Sequence, residues 1–445
     1  MALPRPSLAA MVALVSGALV TVASPAWALQ PLEAFLAAAK DHNPDVRVAK
    51  AMAEQRDAEL DVATGGLLPS LTARGVYTRN QYDSVIPRKY LDANFDPTKP
   101  STDTAILAIV PTDQLDAYAR LSVPLVDVGG WERRSAAKSS WQASIAEQAA
   151  VGNDVARQVT RRYYQLLADE SVLRSAKRNL DVSQQNIQIA RTRKQGGTAS
   201  VLDVQRSTAS VALAQQDVAS ATLAVATGRR ALETLSGVMP EEADTFPMDD
   251  LHDEGALGNW TGSIEKIPAV VSAAASAEAA DANASAATAA WLPTIAANAQ
   301  ERVTNAPGFA LNTAYYALDV TATWRLDAQI PANQRAQRAA ADAAVARADK
   351  TKRLAEDAIY EDWYQVRAAI DRARAARAQL AAATSAADLT RDRFGGGMQT
   401  ELEVLQSQQE AFRADVSRIE ADADLAYARA ALRLDSASMS RETHE

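Results

Sequence analysis

Residue types that commonly carry chemistry are thinly spread in this chain of 445 residues. Its three histidines, His42, His252 and His444, have no zinc-ligand spacing, and neither G-x-S-x-G nor H-E-x-x-H occurs. The run Gly395-Gly396-Gly397 follows a helical pattern instead of a strand and lacks the Lys-Ser/Thr that completes a phosphate-binding loop. Most Asp and Glu stand at helical spacings with Arg or Lys nearby, as on a solvated helix face. No catalytic constellation emerges and no cofactor is implied, so the chain does not read as an enzyme. What remains is one carboxylate position that occurs twice, as Asp203 and as Glu403, each shortly after a run of glycines.

These carboxylates sit in a repeat. Arg391–Ser407 reads R-D-R-F-G-G-G-M-Q-T-E-L-E-V-L-Q-S, and 200 positions earlier Arg191–Ser207 reads R-T-R-K-Q-G-G-T-A-S-V-L-D-V-Q-R-S. Arg193 matches Arg393, Gly196 and Gly197 match Gly396 and Gly397, and Leu202, Val204 and Ser207 match Leu402, Val404 and Ser407. A period this long means two copies of one large unit, not a solenoid of small ones. Each copy reads as a helix running out, a glycine reversal, and a helix running back.

The elements that position the reversals follow from the flanking patterns. Residues 1–28 combine Arg5, an apolar stretch and Ala26-Trp27-Ala28, which marks a secretory signal peptide. Its removal leaves 45 of the 46 Lys and Arg against 55 Asp and Glu, an acidic balance that argues against a nucleic-acid partner, which would need a basic stripe. The chain has no cysteine, so its stability rests on no disulfide. Beyond the signal no apolar run is long enough for a membrane-spanning helix; entry into a membrane would need strands.

Pro31 to Thr64 is a helical pattern broken at Asn43-Pro44. Period-two alternation then places Leu71, Ala73, Gly75 and Tyr77 on one strand face, and Leu115, Ala117, Ala119, Leu121, Val123 and Leu125 on another. Arg79 to Gln114 between them, rich in Asp, Pro, Thr and Tyr, reads as a long loop. Asp127 to Lys194 is one helical pattern of about 68 residues, interrupted only by Gly129-Gly130 at its start and by Gly152, and would span roughly 100 Å. Val159, Leu166, Leu173, Leu180 and Ile187 fall seven apart along it, with Ala176, Ser183 and Ala190 as small inward positions. The second copy gives Ile359, Val366, Ala373, Leu380 and Ala387, and the returning helix gives Val204, Val211, Val218, Val225 and Leu232; sustained heptads specify coiled-coil packing. The first repeat therefore covers 29–236, an acidic segment covers 237–263, the second repeat covers 264–438, and 439–445 is a tail. The second repeat carries a helix over Ile264 to Ala290, strands over Thr294 to Thr304 and Tyr315 to Arg325, and a helix from Asp327 to Arg393. The two short helices of Ser200–Ser236 and Ile264–Ala290 together match one long helix in length, and Thr400–Ser438 with Pro31–Thr64 match the other. Tyr77, Tyr315, Tyr316 and Trp324 stand near strand ends, either as girdle residues at a lipid interface or as ordinary strand packing.

Four strands with one apolar face each cannot close a barrel or cover their own edges. Signal peptide, duplication, strand–loop–strand before a helix of this length, and a hairpin of the form G-x-x-x-L-[DE]-V together make the chain resemble the TolC-like outer membrane efflux proteins over essentially its whole mature length. The resemblance implies a mainly α protein with a transmembrane β part. In a homotrimer, duplicated helical hairpins and four strands per chain would close as a 12-stranded β-barrel in outer-membrane lipid and an α-barrel tunnel through the periplasm. It implies an exit duct for a tripartite pump or type I secretion system, with a periplasmic adaptor and an inner-membrane transporter as partners. It implies a pore constriction at Glu403, with Gln406 where the best-known member has a second acidic residue. A gate loop follows with Phe394 and Gln399 in place of a tyrosine and an arginine, so the closing links differ. Gly196, Gly197, Thr198, Gly395, Gly396, Gly397, Met398 and Thr400 become adaptor-contacting tips. The rival reading is an exported coiled-coil scaffold or adaptor without a pore, which has no use for four strands with a continuous apolar face.

Overall fold

The computed structural model describes residues 29–91, 96–100, 104–242, 248–395 and 398–436, without the side chain of Ala310. The expected signal peptide, the tail, Gly396 and Gly397 lie outside these. Helices α1 (Leu32–His42) and α2 (Pro44–Gly65) meet at Asn43, whose side chain accepts from Asp45 N at 2.9 Å and donates to the Leu235 carbonyl at 3.1 Å. Pro44 opens α2 because the first helical position needs no N–H donor. Strands β1 (Ser70–Arg79), β2 (Ser84–Pro87), β3 (Ile106–Val110) and β4 (Asp113–Val126) follow, then α3 (Val128–Gln195) and α4 (Val201–Ser236). The second half comprises a one-turn helix α5 (Gly258–Thr261), α6 (Pro268–Ala289), β5 (Thr294–Thr304), β6 (Ala314–Thr323), α7 (Gln329–Gly395) and α8 (Glu401–Asp435).

β1, β4, β5 and β6 form one antiparallel sheet in that order. Directly paired residues share a face, so register separates two surfaces. Leu71, Ala73, Gly75 and Tyr77 pair with Leu121, Ala119, Ala117 and Leu115, and the same surface continues through Ala299 to Leu318 and through Val303 to Ala314. Apart from Glu301 and the Arg79–Asp113 pair at its far end, this face is apolar. Among the described residues no helix covers it: Leu71 and Leu318 are each 73% exposed. Among the described residues the outer edges of β1 and β6 have no partner. Tyr77 and Tyr316 lie on this face, but Tyr315 lies on the opposite, polar one, where its hydroxyl accepts from Arg302; a lipid-girdle role for Tyr315 is thereby corrected. The stretch expected to be a plain loop contains the β2–β3 hairpin, because Val85-Ile86 and Ile106 to Val110 supply two short apolar runs.

Both long helices start on an aspartate. Asp127 accepts from Gly130 N at 2.7 Å, and Asp327 accepts from Gln329 N at 2.9 Å, satisfying amides that have no partner within the helix. Gly130 is required at the first junction, because a Cβ there would stand 2.5 Å from the Asp127 carboxylate. α3, with 68 residues, and α7, with 67, each run roughly 100 Å. α3 is the spine: α2 and α6 lie along its strand-proximal part, α4 and α8 along the remainder. α7 is flanked by α6 and then α8, so stacked short helices do accompany the long ones. The expected partnership of α2 with α7 does not occur within the chain. α2 packs on α3; among the described residues no helix lies along α7 on the side away from α6 and α8, and Val345, Leu354, Tyr360 and Tyr364 of α7 are exposed.

The core consists of heptad seams. Val159, Leu166 and Ile187 are buried on α3, as are Ile359, Val366 and Ala373 on α7 and Leu232 on α4, while Leu173, Leu180 and Val204 are half-buried. Ala176, Ser183 and Ala190 are all buried, and their small side chains bring the neighbouring backbone close. Midway along, Phe35 of α1 packs with Val155, Val159, Leu166, Val225 and Leu232, and a second cluster joins Ile359, Val366 and Ile370 to Leu425 and Leu432.

The acidic segment is more than a separator. Leu251, Leu257 and Trp260 pack on the second cluster, and Trp363 Nε1 donates to the Gly255 carbonyl at 2.9 Å. Arg429 of α8, only 5% exposed, reaches Asp249 at 3.0 Å, Glu254 at 2.6 Å and the His252 carbonyl at 2.6 Å. Nearby, Arg157 of α3 bridges Asp362 of α7 and Asp435 of α8. Burial, reinforced by the neighbouring Asp435, pushes the Asp362 carboxyl up to about 7.

Two outcomes test these anchors. Arg429→Ala strands buried carboxylates and should cost about 3–5 kcal/mol; early protease cuts between 237 and 263 and a lowered thermal midpoint are the readout, and unchanged cleavage would refute the clamp. Folding raises the proton affinity of Asp362, so the native state gains stability as pH falls from about 7 towards 4 and loses it as pH rises back. Asp362→Asn should therefore flatten the difference between thermal midpoints at pH 5 and pH 8; an undiminished difference would assign it to other groups.

Candidate functional site at the helix tips

The two reversals close alike. Thr198 N donates to the Arg193 carbonyl at 2.9 Å, and Met398 N donates to the Arg393 carbonyl at 3.0 Å, each satisfying a carbonyl at the end of a long helix. Gly197 takes φ +76°, a left-handed conformation that costs glycine nothing. Gly196 has ordinary backbone angles, Gly395 ends α7, and Thr198 and Met398 are exposed.

The returning helices start on matched capping boxes. Ser200 accepts from Asp203 N while the Asp203 carboxylate accepts from Ser200 N at 2.9 Å, and Thr400 and Glu403 reciprocate in the same way, with 2.7 Å from Thr400 N to Glu403. The Gln399 amide also lies beside the Glu403 carboxylate, and turning its nitrogen inward would let it donate there. The repeated carboxylate thus has a local cause: S/T-x-x-D/E caps each returning helix. The Thr400 backbone N–H and hydroxyl hold the Glu403 carboxyl below its ordinary range, and Ser200 does the same for Asp203. Glu403 and Gln406 are exposed one turn apart, on a common face of α8.

Phe394 is half-buried. The Arg193 guanidinium stacks 4.0 Å from its ring centroid, and Arg193 Nη2 donates to its carbonyl at 3.3 Å, joining the two hairpins. Further joints lie behind it. Glu401 is buried and accepts from Ser207 of α4, Gln408 accepts from Asn186 of α3, and Asp415 accepts from Ser175 at 2.6 Å and Arg178 at 3.1 Å. Glu401, Gln408 and Asp415 are seven apart, one polar rung per heptad. Counting heptads on α8 would have found them, since a polar residue at a seam position asks for a partner. A cleft of about 400 Å³ opens beside this seam between Asn186, Ile189, Arg193, Phe394, Glu401 and Leu405. Asp249, Asp250 and His252 form the one carboxylate–histidine group near metal-ligand geometry among the described residues, but Arg429 donates to both Asp249 and His252.

Because folding lowers the proton affinity of Asp203 and Glu403, their caps are intact above the ordinary carboxyl range and weaken as pH falls through the depressed values. Amide exchange over 201–204 and 401–404 should therefore accelerate relative to the mid-helix between pH 6 and pH 3. Glu403→Ala should produce the second acceleration already at pH 6; unchanged protection would show that the box contributes nothing.

The outer membrane efflux protein family model matches residues 35–238 and 263–435. No curated protein matches the sequence. Solved structures do match the fold. The Campylobacter jejuni CmeC outer membrane channel aligns at TM-score 0.78 and 14% identity, over 92% of this chain and 86% of its own. A Pseudomonas aeruginosa membrane protein aligns at TM-score 0.77 and 19% identity over 91% and 93%. The open state of the Neisseria gonorrhoeae MtrE outer membrane channel aligns at TM-score 0.74 and 18% identity over 92% and 89%. With both hairpins covered by one family model and the whole architecture shared with channels of known structure, the chain belongs to the outer membrane efflux protein family.

Proposed function

We infer that three copies of this chain close into one continuous duct, the exit conduit of a tripartite efflux pump or secretion system, standing in the outer membrane with its helices in the periplasm. The observation that carries this reading is the four-stranded sheet, apolar over one face apart from Glu301 and the Arg79–Asp113 pair and unpaired at both edges among the described residues, at the base of hairpins roughly 100 Å long. In lipid each bare edge group costs several kcal/mol, so only closure into a barrel is stable there. Three copies give twelve strands, and the bare flank of α7 supplies the matching helical seam. A pore-free scaffold leaves the apolar face and both edges unexplained. The duct moves nothing by itself; in this reading a periplasmic adaptor joins it to an inner-membrane pump, and the pump supplies the energy.

Residues at the tips divide into three roles in this reading. Glu403 and Gln406 line the periplasmic constriction, where three carboxylates would favour cations. Phe394 and Gln399 belong to the closing links, Phe394 through Arg193 and Gln399 through Glu403. Gly196, Gly197, Thr198, Gly395, Gly396, Gly397, Met398 and Thr400 offer the end surface to the adaptor.

Planar-bilayer recording of the detergent-purified mature protein should give discrete cation-preferring steps. Glu403→Ala should weaken that preference, and Arg193→Ala should enlarge the steps. A folded oligomer that never inserts would return the scaffold reading; steps indifferent to both changes would keep the duct and move its constriction elsewhere.

A further inference from the structure

The polar face of the sheet carries an arrangement that the efflux role does not by itself require. One row of paired residues crosses all four strands: Arg74 of β1 opposite Tyr118 of β4, Tyr118 opposite Arg302 of β5, and Arg302 opposite Tyr315 of β6. The next row contributes Arg120, opposite Thr72 on one side and Gln300 on the other. Cross-strand neighbours on one face stand about 5 Å apart, and diagonal ones remain within reach of an arginine. Three guanidinium groups therefore surround Tyr118.

Their partners are unequal. Arg302 is neutralised, reaching Asp116 at 2.7 Å, and it lies 5.4 Å from the Tyr118 ring centroid and 5.7 Å from that of Tyr315. Arg120 donates to the uncharged Gln300 amide oxygen at 2.8 Å and 3.1 Å. Arg74 is exposed and makes no hydrogen bond or ion pair within the described residues. The other acid on this face, Asp319, is occupied with Asn298 at 2.8 Å and Thr321 at 2.7 Å. Three arginines against two aspartates leave one positive charge in excess per chain, concentrated at Arg74 and Arg120.

We propose that this arginine–tyrosine belt is a binding station for anionic solutes inside the membrane-embedded part of the duct, taking carboxylate- or phosphate-bearing molecules as they leave. The inference rests on the channel reading, which turns this face towards the lumen. Guanidinium groups bind such oxyanions through paired N–H donors, and rings of arginine favour anions in pores. Tyr118 and Tyr315 stack on Arg302, which Asp116 already holds, so Arg74 and Arg120 are the guanidinium groups left without a carboxylate partner among the described residues. The belt is opposite in sign to the Glu403 position at the other end of the molecule, so the two bias ion passage in opposite directions.

The test is a bilayer experiment with inorganic tripolyphosphate added on the strand side of the inserted channel. The wild type should be blocked reversibly. Arg74→Gln combined with Arg120→Gln should weaken the block roughly fivefold or more and shift the reversal potential in a salt gradient towards cations. Arg74→Lys, which keeps the charge, should retain most of the block. Equal block and equal reversal potential in wild type and double variant, with normal conductance, would overturn the belt while leaving the channel intact. A folded oligomer without conductance would instead remove the channel reading, and the belt with it.

Discussion

A backbone N–H or C=O group facing hydrocarbon has no water to satisfy it, and that single requirement organises this molecule. The sheet presents one apolar face and two bare edges, so it is incomplete as a monomer however well its helices fold. The helical half has the same incompleteness in milder form. α3 has neighbours on both sides along its length, whereas one flank of α7 has none, so the two repeats are not equivalent within one chain. Edge to edge and flank to flank, the missing partners are the same kind of surface, so the proposed ring of copies would complete both halves at once.

The helices are held to one another by means suited to a wall and not to a globule. Small residues at Ala176, Ser183 and Ala190 let backbones approach, and large apolar side chains gather only midway, where Phe35 and the acidic segment thicken the layer. Near the tips the seam between hairpins becomes polar at every heptad through Glu401, Gln408 and Asp415. Apolar seams hold without direction; hydrogen-bonded rungs fix register and release when their partners are displaced. The molecule is therefore firm at its middle and separable at its end.

Much of the fold was legible in the sequence because its signals are periodic and long. The heptads from Val159 to Ile187 and the alternation from Leu115 to Leu125 run through enough residues to override local ambiguity, and the duplicated glycine segment shows the topology twice. Less was legible where a few residues decide. The β2–β3 hairpin rests on two short runs in a polar stretch. Packing of α2 on α3 instead of α7 depends on three-dimensional order that length matching does not reveal. At the tips, the shared carboxylate of Asp203 and Glu403 has a capping cause that the S-x-x-D and T-x-x-E spacing already contained. The stacking of Arg193 on Phe394 joins positions 201 apart and has no local signature. The Arg–Tyr row was visible only as separate polar letters until register aligned them.

The junction at Asp127 has a mechanical side. β4 ends in a register irregularity between Pro124 and Val126, and α3 begins two residues later on a capped, glycine-tight turn and then runs unbroken to the tip. A stiff rod roughly 100 Å long, anchored at one end, converts a tilt of about one degree into a displacement of about 2 Å at the other. The rod is thus a lever as well as a wall. The width of the distant opening is geared to the angle at which a strand in the membrane hands over to a helix, and pressure on the tips is felt, reduced in amplitude, by the sheet.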